Sequence, residues 1–382
     1  MINITRLWSG IPGSMDNLRY GTETHKRPVV VWNSTRRCNL NCLHCYSRSE
    51  NKLYPNELTT EEAKALVKDL AEYGVKVLLF SGGEPLFRHD LFEVARFASD
   101  SGIRAVLSTN GTLITKDIAR QLKTAGFSYV GISLDGIGET NNKFRGKPEA
   151  FELAVGGIRN CLKAEVRTGL RFTVTNYNYK DVPQIFDLIE TEQIHRVCFY
   201  HLAYAGRGTA IASNDLTHKQ TREFMDYILK KAETFHGKGL NTEILTVDNH
   251  ADAAYLYLKL KEKDPEKAEE ALKLLKLNGG NSSGVGIACV DFNGYVHPDQ
   301  FWQYYSLGNI RTRRFSEIWS DDSQPLLQGL RNRKIHLQGK CSDCRFLDIC
   351  NGNLRVRAEA VYGDVWAPDP ACYLTYEEIQ NN

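Results

Sequence analysis

The sequence predicts an α/β fold, a parallel sheet covered by helices, followed by a smaller cysteine-bearing region. Three observations predict it. From residue 28 to about residue 235, short β-branched runs alternate with amphipathic stretches. The strand runs are continuously apolar, as in sheets buried on both faces, and not alternating. Seven of the ten cysteines fall into two tight groups, Cys38, Cys42 and Cys45, then Cys341, Cys344, Cys350 and Cys372.

Taken in order, PVVVWNS (28–34) is a strand, and the loop after it carries the first cysteines. Thr59 with Glu62 three residues on forms a capping box, which opens a helix running to about Tyr73. KVLLFSG (76–82) is a strand and HDLFEVARFASDSG (89–102) a helix. RAVLSTNG (104–111) is a strand, and TKDIARQLKTAG (115–126) is a helix ending at glycine. YVGISLDG (129–136), GLRFTVTN (169–176) and RVCFYHLA (196–203) are further strands, separated by helices over 148–164 and 181–193. A helix near 216–235 completes six strand–helix units. Six units suit a doubly wound sheet or an incomplete barrel, and the pattern does not choose between them. In both, ligands sit at the carboxyl ends of the strands. The first cysteines, SGGEP (81–85), STNGT (108–112) and SLDG (133–136) all lie there.

The rest divides less sharply. Residues 1–27 are an N-terminal extension to the unit at 28–235. Residues 236–283 are expected as a helical linker, rich in Lys, Glu, Leu and Ala over 250–278 and broken by NGGNSSG (278–284). A hairpin-like stretch (288–302) and the second cysteine group make up a region over 284–382.

Composition narrows the class. The 382 residues are 42% hydrophobic and 25% charged with a net charge of +2, as in ordinary globular proteins. No dense basic block offers a nucleic-acid surface. No apolar run reaches the roughly 18 residues of a membrane span, and MINITRLWSG lacks a signal-peptide pattern. A cytoplasmic location is expected. Clustered cysteines in a reducing compartment hold metal rather than disulfides. The isolated Cys161 and Cys198 read as small buried hydrophobes.

TRRCNLNCLHCYS (35–47) supplies only three close thiols. A 4Fe-4S cluster takes four, so three leave one iron open for chemistry. A zinc site with a remote fourth ligand is the competing reading. This triad together with SGGEP resembles the radical S-adenosylmethionine superfamily across about residues 28–235. The resemblance implies a partial barrel of six strand–helix units, a partial (β/α)6 TIM barrel. It also implies that S-adenosyl-L-methionine chelates the open iron and is cleaved to a 5′-deoxyadenosyl radical. It assigns Gly82, Gly83 and Glu84 to the methionine amino group, and Ser133 and Asp135 to the ribose-contacting strand. Asn110 lies on the same rim, where an Asn–Gly turn is the alternative. Arg145 is a candidate for the methionine carboxylate.

Spacing alone lets Cys341, Cys344, Cys350 and Cys372 bind zinc or a second iron–sulfur cluster. GNIRTRRFSEIW (308–319) and CSDCRFLDIC (341–350) resemble the SPASM or twitch extensions of that superfamily, which implies an auxiliary 4Fe-4S cluster. The chain departs from a full SPASM pattern. Leu354 and Asp299 stand where further cysteines are usual, so one complete auxiliary cluster is expected, with Cys289 either in the core or facing the substrate.

The flanking stretches resemble a narrower group, the tetrapyrrole-modifying enzymes of alternative heme and d-type heme biosynthesis. These stretches are LRYG (18–21), RPVVVWNSTRRCNLNCLHCYS (27–47), YHLAYAGRG (200–208), VDFNGYVHPDQFW (290–302) and RVRAEAVYGDVWAPDPACYL (355–374). The resemblance implies an iron-tetrapyrrole substrate that loses carboxylate side chains, and a low-potential electron donor, ferredoxin or flavodoxin. Such a substrate calls for arginines. Arg36, Arg37, Arg171, Arg207, Arg355 and Arg357 are candidates. His201, His297 and Cys289 are candidate iron ligands or catalytic groups. A peptide maturase is the competing enzyme reading, and the 27 residues before the first strand fall short of the usual added peptide-recognition domain. Intact SGGEP and ISLDG loops argue against a non-enzymatic iron–sulfur scaffold.

Overall fold

A computed structural model describes residues 1–13, 16–21 and 27–380. Its spine is one sheet. The strands are β1 (Ile2–Asn3), β2 (Val29–Thr35), β3 (Val77–Gly82), β4 (Arg104–Thr109), β5 (Tyr129–Ser133) and β6 (Thr168–Val174), then β7 (Arg196–His201), β8 (Glu243–Val247), β9 (Ile287–Val290), β10 (Tyr295–His297) and β11 (Gly308–Asn309). Across the sheet the order is β1-β8-β7-β6-β5-β4-β3-β2-β9-β10-β11. The run from β2 to β8 is parallel and laid down in sequence order. A doubly wound sheet reverses its order at a switch point. This one does not, so it is the barrel alternative. β1 and β11 end the sheet without pairing to each other, and the barrel stays open.

The helices follow local signals. Thr59 accepts from the Glu62 amide while the Glu62 carboxylate accepts from the Thr59 amide, and Gly74 at φ 88° ends the helix Thr60–Tyr73. Leu66, Val67 and Leu70 of that helix, with Val94, Ala95 and Ala98 of Leu91–Asp100, pack on the sheet's outer face. Cys161 and Cys198 are buried thiols, as their isolation implied.

Two expected segments are built differently. The stretch 236–283 is not purely helical. It contains β8, five buried residues in parallel register with β7, before the helices Ala251–Lys263 and Pro265–Asn278. β8 was hidden because ILTV is short and sits between long charged helices. In the N-terminal stretch, β1 pairs antiparallel with β8, and Ile4–Ser9 packs on His218–Gly237. Residues 14–15 and 22–26 of that stretch lie outside the described residues. The helix Glu139–Arg145, which follows SLDG, gave no separate signal in the sequence.

The C-terminal region joins the barrel twice. β9 lies parallel to β2, with Val31 opposite Cys289, and β10 returns antiparallel to form the expected hairpin. Farther on, buried Arg357 pairs with Asp369 at 2.8 Å and donates to the carbonyls of Leu202 (2.8 Å) and Asp248 (2.7 Å). Those carbonyls follow β7 and β8, so this one side chain holds the C-terminal segment against the barrel mouth. Asp369→Ala would leave the guanidinium charge buried without its counter-ion. It should lower stability by about 3–5 kcal/mol, measured by chemical denaturation; a loss under about 1 kcal/mol would show the pair to be dispensable.

Candidate active site

The carboxyl ends of the parallel strands open into one cleft. Cys38, Cys42 and Cys45 line it, and so do Gly82, Gly83, Asn110, Ser133, Arg145 and His201. Residues far apart in sequence therefore meet where strand-end logic placed them.

The cysteine loop, from Arg36 to Ser49, has no helix or named strand. Its amides and carbonyls are satisfied by its neighbours instead. Cys38 N–H donates to Glu50 O (3.0 Å), Asn41 N–H to Arg145 O (3.1 Å) and Leu43 N–H to Phe144 O (3.0 Å). Arg207 holds the opposite side, donating from Nε to Cys42 O (2.8 Å), from Nη1 to Ser49 O (3.0 Å) and from its amide to Cys45 O (2.9 Å). The GRG of YHLAYAGRG is thus a clamp on the loop. A Cβ on Gly206 would stand 2.2 Å from Tyr46 O. The glycines of SGGEP are required by the chain's own backbone. Gly83 N–H donates to Thr35 O at 2.7 Å, and a Cβ on Gly83 would stand 2.2 Å from Arg37 O.

The thiols sit among placed donors. Asn110 Nδ2 is 3.8 Å from Cys38 Sγ, and Arg145 Nη1 is 3.6 Å from Cys42 Sγ. Asn110 also makes the expected turn, since Gly111 has φ 75° and Asn110 Oδ1 accepts from the Thr112 amide. Burial, with Glu84, Cys42 and Cys45 adding to it, pushes the Cys38 thiol up to about 12. As thiolates, these buried sulfurs need a multivalent cation. Among the described residues, no three His, Cys, Asp or Glu side chains close on a point fit for one ion. A tetrahedral zinc draws sulfurs to about 2.3 Å from a single centre. Three sulfurs on the wall of one cleft, two of them with a side-chain donor beside them, fit a 4Fe-4S cluster that keeps one iron open.

Two expected contacts are displaced from the cleft, and a third is already engaged. Glu84 is fully buried behind Gly83; it accepts from Thr109 Oγ1 (2.7 Å), the Asn110 amide (2.8 Å) and the Leu86 amide (3.2 Å). Burial lifts its carboxyl to about 7 against those hydrogen bonds. Asp135 is also fully buried, accepting from the Thr173 amide at 2.6 Å and pairing with Arg145. Arg145, the candidate for a methionine carboxylate, is therefore already held by Asp135 beside Cys42. His44 lies 3.7 Å from Asp135, and burial lowers it to about 4, so its ring is neutral.

The histidine and cysteine candidates divide. His201 lines the cleft, but its Nε2 is 2.9 Å from Asp252 Oδ2, and Asp252 Oδ1 accepts from Tyr373 at 2.8 Å. His297 does not reach the cleft; it is buried with Nδ1 2.7 Å from Tyr305 O and Nε2 3.6 Å from Asp291. Cys289 is a core residue, 3.5 Å from Asn33 Nδ2.

Of the candidate arginines, only Arg171 and Arg207 face the cleft. Arg36 stacks on Tyr54 and Phe292, Arg37 stacks on Phe87, and Arg355 is spent on the carbonyls of Val365 and Ala367. Sequence reading missed Tyr46, Tyr200, Asp248 and Phe301 in the lining. Asp248 follows the unrecognised β8, so finding that strand would have found it.

The second group also converges. Cys341, Cys344, Cys350 and Cys372 line one small apolar cavity with Phe346, Leu374 and Ile379. Four thiols around a closed space fit a four-thiolate cluster. The two departures are filled by other contacts. Asp299 accepts from Ser283 (2.5 Å), the Phe301 amide (2.8 Å) and the Trp302 amide (3.3 Å), while Leu354 packs with Phe301 and Trp302.

An open parallel barrel with three thiols at its mouth, and a four-thiol pocket in an appended region, define a radical enzyme with an auxiliary iron–sulfur site. Comparison with known proteins agrees. The family model described as the radical SAM superfamily matches residues 32–189, and that of the SPASM iron–sulfur cluster-binding domain matches residues 283–345. The chain is 54% identical to the Fe-coproporphyrin III synthase of Methanosarcina barkeri, covering 99% of each chain. It is 43% identical to the pre-heme d1 synthase of Dinoroseobacter shibae, covering 92% of this chain and 87% of that one. In fold it is similar to the crystal structure titled native anSMEcpe with bound AdoMet, at a TM-score of 0.71 and 20% identity, over 92% of this chain and 96% of that one. The chain belongs to the radical SAM superfamily, and its cofactors are a 4Fe-4S cluster, S-adenosylmethionine and auxiliary iron–sulfur in the SPASM domain.

Glu84→Ala would remove three hydrogen bonds that brace the loops after β3 and β4. S-adenosylmethionine affinity should fall about tenfold or more, read by equilibrium dialysis on reconstituted protein. Unchanged affinity would show that Glu84 does not shape that wall.

Proposed function

We propose that this chain cleaves acetate side chains from an iron tetrapyrrole, converting 12,18-didecarboxysiroheme to iron-coproporphyrin III. The observation that carries this reading is end-to-end likeness, at 54% identity, to a protein named for making that product. The cleft supports it. Its wall carries the cationic Arg171 and the aromatic Tyr46, Tyr200 and Phe301, which suit a flat macrocycle with carboxylate arms.

In this reading Cys38, Cys42 and Cys45 hold the radical-generating cluster. Gly82, Gly83, Asn110, Ser133 and Arg145 form the S-adenosylmethionine wall, with Glu84 and Asp135 bracing it from behind. Cys341, Cys344, Cys350 and Cys372 hold the auxiliary cluster in a domain over residues 284–382. When bound, the cluster and S-adenosylmethionine supply a 5′-deoxyadenosyl radical that takes a hydrogen atom from the substrate. The protein's own residues position and shield. Arg207 and the amide partners of the cysteine loop hold the thiols in place. Asp135 keeps the Arg145 guanidinium against Cys42, and Glu84 ties the loop after β4 to the loop after β3. His201, linked through Asp252 to Tyr373, lies on a hydrogen-bonded path from the cleft to the residue after Cys372. A small low-potential protein, ferredoxin or flavodoxin, delivers the electron. The cytoplasm, a reducing compartment, suits ten cysteines of which none is paired in a disulfide and seven are cluster ligands in this reading.

Anaerobic reconstitution followed by incubation with S-adenosylmethionine, reductant and didecarboxysiroheme tests the reaction. Iron-coproporphyrin should form with 5′-deoxyadenosine, and the product mass separates acetate from propionate loss. Release of 5′-deoxyadenosine with the tetrapyrrole unchanged would reject the proposal. A second measurement addresses the auxiliary site. The parent should hold about eight irons, and a combined Cys341→Ala, Cys344→Ala, Cys350→Ala variant about four. An unchanged count would remove the second cluster.

A further inference from the structure

Among the described residues, Arg171 is the one cleft-lining arginine that the architecture around the cysteines does not use. It stands on β6 opposite Ser133 of β5, and its stem lies across Gly131, where a Cβ would come within 2.8 Å of Arg171 Cδ. The missing side chain at Gly131 is what lets a long arginine lie inside the barrel. Its guanidinium is stacked on the Tyr200 ring at 4.6 Å and borders the cleft. Among the described residues it makes no hydrogen bond or ion pair. A guanidinium does not shed its charge, and an enclosed one is normally paired with a carboxylate. The other cleft arginines are committed, Arg145 to Asp135 and Cys42, and Arg207 to the carbonyls of Cys42 and Ser49. Asp248 is the acid on the same wall; the Arg171 charge acts on its carboxyl through space, but among the described residues no ion pair joins the two.

We propose that Arg171 is the anchor for a side-chain carboxylate of the tetrapyrrole, and so sets which edge of the macrocycle faces the radical. The proposal rests on the function given above. Carboxylates reach this cleft from two sources, the side chains of the tetrapyrrole and S-adenosylmethionine. The second would be held at the thiol triad, where Arg145 stands 3.6 Å from Cys42 Sγ. The groups around Arg171 are Tyr200, on which it stacks, with Tyr46, Tyr129, Cys198 and Asp248, and none of them is a thiol of the triad. A planar fork over an aromatic floor takes a carboxylate in a bidentate grip that a point charge does not reproduce. Arg171 is a specificity-determining residue in this account.

The test uses reconstituted holoenzyme and follows the tetrapyrrole's Soret band on titration. Arg171→Gln should weaken binding of didecarboxysiroheme by about ten- to a hundredfold, and Arg171→Lys by less. S-adenosylmethionine affinity, by equilibrium dialysis, should stay within about twofold of the parent. Alkyl esterification of the tetrapyrrole should weaken its binding to the parent more than to Arg171→Gln. If the glutamine variant fails to retain its iron, the lysine variant and the ester comparison on the parent decide. Equal affinity of the parent for acid and ester overturns the proposal. So does a variant that binds the acid as tightly as the parent, or one whose S-adenosylmethionine affinity falls in step. A parent that gives no Soret response to the tetrapyrrole sinks the proposed function itself, which is a different result.

Discussion

An irregular loop with two buried thiols and a half-buried third has to be held without a helix or sheet of its own, and much of this structure serves that constraint. A backbone outside regular structure still carries a donor and an acceptor at each residue. Here the partners come from three directions: the helix Glu139–Arg145, the loop after β3, and Arg207 after β7. Each partner belongs to a motif that looks unrelated in the linear chain. SGGEP supplies glycines so that two backbones can touch, and GRG supplies a glycine and a guanidinium for the same purpose. Catalytic geometry in this fold is first a problem of satisfying the loop's amides and carbonyls.

Electrostatics adds a second layer. Buried thiols resist ionisation, and neighbouring thiols resist it further. Arg145 offsets this at Cys42, and Asp135 offsets Arg145. The arrangement alternates charge from sulfur to guanidinium to carboxylate, so no member is buried alone. Arg357 and Asp369 repeat the device where the C-terminal segment meets the barrel. The two cysteine sites are thereby parts of one packed body, with apolar core residues running from Ile2 to Ile379.

The parts legible in the sequence were those with a local signature. The six strands, the Thr59 capping box and the hairpin near 288–302 follow from periodicity and turn chemistry, and both cysteine groups from spacing. The resemblance then chose the barrel, which pattern alone had left open. What escaped was set by tertiary context. β8 has three apolar residues in a charged neighbourhood, and only pairing with β7 and β1 makes it a strand. Glu84 and Asp135 sit in the expected motifs yet one layer behind the cleft, because side-chain direction at a strand end depends on the loop's path. His297 and Cys289 were plausible by residue type alone, and burial removed them from the cleft. Six arginines were indistinguishable in the chain. The fold sorted them by whether carbonyls, carboxylates or rings had already claimed each one.

The open sheet has a consequence for size. In a closed barrel, strand number and shear fix the radius, so the interior grows only in steps. This sheet has no closing seam. β1 borders β8 at one side, and β9 to β11 extend from β2 at the other. Its curvature is therefore a continuous quantity, adjustable through packing at those two margins. A lineage built on this scaffold can widen or narrow its mouth for a larger or smaller ring by editing residues far from the thiols, with no strand gained or lost.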